Sequence, residues 1–162
     1  MKKRGKWILG GLVLALVLMQ FIHPVRLNPP AVGGRDLMAA NPPPPKVAAL
    51  LRAACYDCHS DEIKWPWYSH VAPVSWWLVG HINEAHEKLN FSKWPHDEPL
   101  RTKKKWRNIS EQVSSREMPL PSYTWMHPAA RLSAADRQLL VQWADQETER
   151  LKALVPAEEP AK

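Results

Sequence analysis

Cysteine is almost absent from this chain: two residues in 162, lying three positions apart. A link between such close neighbours cannot tie distant parts of a fold together. The pair therefore excludes a disulfide-stapled scaffold and leaves chemistry as its better explanation. Glycine is scarce too, at six residues against sixteen prolines and nine tryptophans. Proline-rich, glycine-poor chains are often linkers, but linkers do not carry so much indole, which packs against something large and flat or lines a core. Acid is missing from the first six residues, which hold Lys2, Lys3, Arg4 and Lys6. Without those four, the 22 basic residues fall to 18 against 16 acids, and the net charge falls from +6 to +2. A nearly neutral body lacks the basic footprint of a nucleic-acid binder, so nucleic acid is excluded as a partner. No stretch alternates as a strand, and the body is expected to be all-α.

The amino end carries an address. From Trp7 to Val25 no residue is formally charged, and as a helix those nineteen residues would span about 28 Å, close to the thickness of a bilayer core. Basic residues ahead of the apolar run predict the amino end inside and the body outside. Residues 1–25 are accordingly expected to be a signal anchor or transmembrane helix. That would make a single-pass protein of a bacterial inner membrane with its body in the periplasm. A cleaved signal peptide competes, but it needs small residues just after the run, and Ala31 and Gly33 lie well downstream behind Pro29-Pro30. Residues 26–45 read as a proline-rich linker, extended by Pro29-Pro30 and Pro42-Pro43-Pro44-Pro45. The domain proper is placed at 46–155, with 156–162 a tail.

Within the domain, Pro45 suits the first position of a helix, and Val47, Leu50, Leu51 and Ala54 follow at helical spacing. A second helix is expected from near Pro73 to about Leu89, with Asn90 as a left-handed cap. A third covers roughly Thr102 to Arg116, with Trp106, Ile109 and Val113 on one face, before the loop Glu117-Met118-Pro119-Leu120-Pro121. Ser133 and Asp136 form the start signal of a last helix that fades near Leu154 and buries Leu139, Leu140, Trp143 and Ala144.

Cys55-Tyr56-Asp57-Cys58-His59 fits the C-x-x-C-H pattern of c-type haem attachment. Two thiols one helical turn apart can each add to a vinyl group on one porphyrin edge, and the next residue offers an imidazole as proximal iron ligand. Zinc would want a fourth ligand and a second cysteine pair, and a thioredoxin-like pair would want a βαβ setting; the sequence has neither. A short-loop disulfide would leave His59 and the indole content unexplained. The sixth iron position decides function, because a filled one suits electron transfer and an exchangeable one suits ligand binding. Met118, in its proline-stiffened loop, is the leading distal candidate, with His81 the rival; His127 and Met126 rank lower. A core methionine and a hydrogen-bonded core histidine are the plain alternatives for Met118 and His81. His70, His86 and His96 sit in polar company and read as solvated. Trp65, Trp67, Trp76, Trp77 and Trp143 are expected in the core and the pocket wall. Lys103-Lys104-Lys105 with Arg107 reads as a solvated helix face, or as a docking patch for an acidic redox partner.

These residues resemble a known family. The haem motif with Ser60, then Trp65-Pro66-Trp67-Tyr68-Ser69, Ala72-Pro73, Ser75-Trp76-Trp77, His81, Leu89-Asn90-Phe91-Ser92 and Glu117-Met118-Pro119, is similar to the bacterial haem-binding domain family of small cytochrome c-like proteins, over about Lys46 to Trp143. The resemblance implies a cytochrome c-like helical fold around one covalently attached haem. It implies Cys55 and Cys58 as thioether positions, His59 as proximal ligand and Met118 as distal ligand. The expected function is outer-sphere electron transfer between redox partners at the membrane surface, with no substrate bond made or broken and hence no enzyme. A haem-based sensor with an exchangeable sixth position is the alternative.

Overall fold

The computed structural model describes residues 2–30 and 34–154. Ala31, Gly33 and the tail at 156–162 lie outside them. Eight α-helices follow in order: α1 (Lys2–Met19), α2 (Leu37–Ala40), α3 (Pro45–Ala54), α4 (Tyr56–His59), α5 (Val74–Lys88), α6 (Pro99–Ser114), α7 (Pro121–Met126) and α8 (Ala134–Leu154). Short 3-10 turns join some of them, and no strand occurs among the described residues. The all-α expectation agrees with this.

The expected transmembrane helix does not. No helix among the described residues is long and apolar enough to cross a membrane. α1 begins in Lys2, Lys3, Arg4 and Lys6 and stops at Met19, leaving thirteen uncharged residues from Trp7 to Met19. At 1.5 Å per residue these reach about 20 Å, short of the roughly 30 Å of a bilayer core. The charge-free run was a fair signal, but a turn follows at Gln20-Phe21 and cuts it short. The assignment to an inner membrane as a single-pass protein falls with the helix.

The proline-rich stretch after α1 does not hang free. The Gln20 side chain donates to the Ala72 carbonyl at 3.1 Å and accepts from its amide at 3.0 Å. Arg26 donates to the Ser69 carbonyl at 2.7 Å, and Asn28 to the Ile63 carbonyl at 2.7 Å. The indole N–H groups of Trp65 and Trp76 donate to Asn28 Oδ1 and the Ile22 carbonyl, both at 2.8 Å. Asp36 caps α2 by accepting from the Met38 amide, and Leu37 is wholly buried. The segment thus lends the main core a side chain.

The most extensive contact between elements is α6 on α8. Trp106, Ile109 and Val113, spaced a turn apart on α6, meet Leu140, Trp143 and Ala144 of α8. Ser133 starts α8 as expected: its hydroxyl accepts from the Asp136 amide at 3.0 Å and donates to the Asp136 carboxylate at 2.7 Å. α6 begins at Pro99, a turn before the expected start, because proline suits a first position where no N–H is needed. Asn90 is not left-handed. With φ at −126° it accepts from the Ser92 amide and starts a 3-10 turn over Phe91–Lys93.

Candidate functional site

α3 breaks at Cys55, whose amide still bonds to the Leu51 carbonyl at 2.9 Å. α4 restarts at once, and the Cys55 carbonyl accepts from the amides of Cys58 (3.1 Å) and His59 (2.9 Å). The motif is therefore a single turn wound around one carbonyl. Its two intervening residues are its fastenings. Tyr56 is buried against Phe91 and donates to Asp36 at 3.0 Å, while Asp57 accepts from the Tyr123 hydroxyl at 2.8 Å.

The turn faces a cavity of about 620 Å³. That lies within the range of roughly 300–1,000 Å³ that holds an organic ligand. Cys55, His59 and Met118 all line it, although Met118 comes from the far end of α6. Leu51, Leu89, Phe91, Ile109, Leu140 and Trp143 supply its apolar walls. Cys58 does not line it but packs beside Ile63, Leu78 and Ile82, near Trp65 and Tyr68. His81 is exposed, packed at a tilt against Trp77, with its Nδ1–H donating to the Trp77 carbonyl at 3.0 Å. His127 stacks on Tyr123 and donates to its carbonyl, and Met126 is largely exposed. None of these three lines the cavity.

His59 is oriented by the backbone. Its Nδ1 lies 3.0 Å from the Leu89 carbonyl; a carbonyl only accepts, so Nδ1 carries the proton and Nε2 keeps its lone pair. Burial holds the imidazole below its ordinary range, against the pull of that hydrogen bond, so the ring is in its neutral, ligating form at pH 7. Desolvation pushes Cys55 up to about 12 and Cys58 up to about 11. Both are thiols near neutrality. Among the described residues no three His, Cys, Asp or Glu side chains gather as a metal site.

Met118 is held at both backbone ends. Its amide donates to the Gln112 carbonyl at 3.0 Å, and its carbonyl accepts from Arg137 of α8 at 2.9 Å. A flexible thioether thus hangs from a fixed peptide. An apolar hollow with one free imidazole nitrogen, a thiol and an anchored thioether on its walls fits a haem. The donor set is soft and neutral, and the walls suit a flat hydrophobic ring.

The chain matches the haem-binding domain family over residues 14–146. It belongs to that family. No curated protein and no solved structure matches it. A haem-binding domain is what the cavity's walls and donors suit, and the match reaches back into α1 and the proline-rich stretch.

Several partners of these cavity residues are not legible in the sequence. Nothing there signals that the Leu89 carbonyl turns His59, nor that Arg137 reaches Met118. Phe91 lies within the resembling string but is not marked there as a wall; its ring centroid sits 5.9 Å from that of His59. Of the tryptophans expected in the core or pocket wall, Trp143 lines the cavity, whereas Trp67 and Trp77 are 71% and 48% exposed. Trp94 and Trp106 take the central places instead. His86, read as solvated, is half-buried and donates from Nε2 to the Ser60 carbonyl at 3.0 Å.

Proposed function

We propose that this haem-binding domain is a monohaem c-type cytochrome that carries electrons between redox partner proteins and makes or breaks no substrate bond. One observation carries the reading: Met118, distant along the chain from Cys55 and His59, lines the same cavity as they do. In this reading Cys55 and Cys58 hold the haem by thioethers, His59 is the proximal ligand through Nε2, and Met118 is the distal ligand. Cys58 enters on the motif spacing alone. The haem, when bound, supplies a one-electron ferrous–ferric couple.

The chain's own residues do the rest. The Leu89 carbonyl fixes the tautomer of His59 and strengthens it as a donor. Arg137 and Gln112 fix the peptide that bears Met118, so that thioether ligation orders only a side chain. Leu51, Phe91, Leu140 and Trp143 keep water from the centre, which disfavours the more charged oxidised state.

The test is an optical spectrum of the full chain matured in a host that attaches c-type haem, taken oxidised, reduced, and reduced under carbon monoxide. We expect a low-spin spectrum indifferent to carbon monoxide, and haem that stays with the polypeptide on a denaturing gel. Met118→Ala should become high-spin and bind carbon monoxide. Ready binding by the unaltered protein would replace electron transfer with ligand sensing at an exchangeable position. Haem lost on the gel would remove the c-type attachment.

A further inference from the structure

The cavity is not uniformly apolar. Along α6, Lys104, Lys105, Asn108, Glu111 and Gln112 line one side of it, and Lys88 joins them from the end of α5. Charge is sorted along this side. Lys105 is tied to the end of α5, since its ammonium donates to the Lys88 backbone carbonyl. Glu111 lies six to seven residues beyond the lysines, about 10 Å along the helix, at the end where Glu117 and Met118 also lie. One end of the hollow is thus cationic and the other holds the acids.

We propose that Lys88, Lys104 and Lys105 seat the two carboxylates of the porphyrin, and so fix which edge of the ring lies at the α5–α6 end of the cavity. This rests on the haem reading above and adds the ring's orientation to it. A haem is an apolar disc with two acids on one edge, and its carboxylates need charged donors wherever water is partly excluded. An ammonium has three donors, so the bond from Lys105 to the Lys88 carbonyl leaves two. Burial, with Arg101 and Lys104 close by, holds the half-buried Lys105 below its ordinary range, as expected of crowded cations that lack a counter-charge. Among the described residues neither Lys104 nor Lys105 has a salt bridge to an acid. Lys88 does, to Glu84 at 2.5 Å, an exposed pair that a carboxylate at the cavity mouth would share. Lys103, in the same basic run, does not line the cavity.

The experiment compares Lys104→Gln/Lys105→Gln with Lys103→Gln in the full-length, haem-bearing protein. Resonance Raman bands of the haem propionates and the midpoint potential at low and high salt are read for each. We expect the double variant to shift the propionate bands and lower the potential at low salt, because the cations that disfavour oxidation are gone. Lys103→Gln should change neither, and Lys104→Arg/Lys105→Arg should restore both. Should the double variant fail to accumulate, Lys104→Gln alone is read, since Lys104 is exposed and bears no packing. Propionate bands unchanged in a haem-bearing variant would overturn the seat and leave the haem reading intact. So would equal effects of Lys103→Gln and Lys104→Gln confined to the salt dependence of reaction with a protein partner, which would mark a docking face. Failure of the unaltered protein to take up haem would instead strike the haem reading itself.

Discussion

Two regions of the one core around the α6–α8 pair are built differently. On one side Trp94, Trp106 and Trp143 pack in tilted and edge-to-face pairs, with centroids 4.6 Å apart at each step, and Leu37 and Val47 close around them. On the other, Leu51, Leu89, Phe91 and Leu140 pack against the same core and also line a hollow. Both sides use the same kinds of side chain, but only the first is filled by the protein itself. Filled packing stabilises the fold whatever is bound, whereas walls around a hollow are completed by a ligand. Trp143 and Leu140 belong to both, since each packs in the core and lines the cavity. The tryptophan cluster is therefore joined to the cavity wall through Trp143.

The largest effect should come from breaking the filled side. Trp106 is wholly buried, and truncation to alanine would leave a void that neighbouring rings cannot collapse into. Trp106→Ala should cost about 3–5 kcal/mol, read by urea unfolding of the haem-bearing protein followed by far-ultraviolet circular dichroism. Part of the loss would be returned, because the Trp106 indole N–H is buried without a partner, as is that of Trp94. A cost under about 1 kcal/mol would mean that the cluster is no firmer than the cavity walls and would erase the contrast between the two sides.

How much of this is legible in the sequence follows the reach of each signal. Helical spacing is local, so Val47, Leu51, Ile109, Val113 and Leu140 stand out as buried stripes from their positions in the chain alone. The C-x-x-C-H turn is legible for the same reason, since its residues are neighbours. The shared cavity of His59 and Met118 is legible only through the meaning of the residue types, not through any pattern that joins them. Hydrogen bonds from backbone carbonyls, such as Leu89 to His59, leave no mark, because every residue has a carbonyl. The apolar amino end misleads because its charge-free run is taken as helical through Val25, whereas the helix stops at Met19. Gln20 leaves the helical run to pair with Ala72, fifty-two positions away, and composition cannot foresee that contact.

A smaller effect tests how the haem motif is fastened at the edge of the hollow. Tyr123 of α7 donates to Asp57 at 2.8 Å, and burial together with the carboxylate pushes the phenol well above its ordinary range, so it stays a donor throughout the accessible pH range. This bond ties the segment after Met118 to the turn that bears His59. Tyr123→Phe keeps the ring and its stack on His127 but removes the donor to a charged acceptor, which should cost about 1–2 kcal/mol in the same urea titration. The Met118→Ala spectrum must not be reproduced: Tyr123→Phe should remain low-spin. A high-spin spectrum would show that the bond positions Met118 as well as stabilising the fold, and the cavity side would then depend on α7 more than the contrast allows.

The smallest effect lies at the joint between the two sides. α6 ends at Ser114, and Arg116 takes φ of +65°, the left-handed conformation in which glycine is the usual residue. That reversal lets the Met118 amide return to the Gln112 carbonyl, so the filled helix passes directly into the cavity loop. For a residue with a Cβ the conformation costs about 1–2 kcal/mol. Glycine removes that cost but frees the unfolded chain by about 0.4–1 kcal/mol. The Arg116 side chain is exposed, so its loss takes little packing with it. Arg116→Gly should therefore raise stability by about 0.5 kcal/mol, seen as a higher urea midpoint at unchanged slope, with the spectrum untouched. A lower midpoint would mean that the arginine itself holds the joint, and that the loop bearing Met118 is fastened by side chains rather than by the course of its backbone.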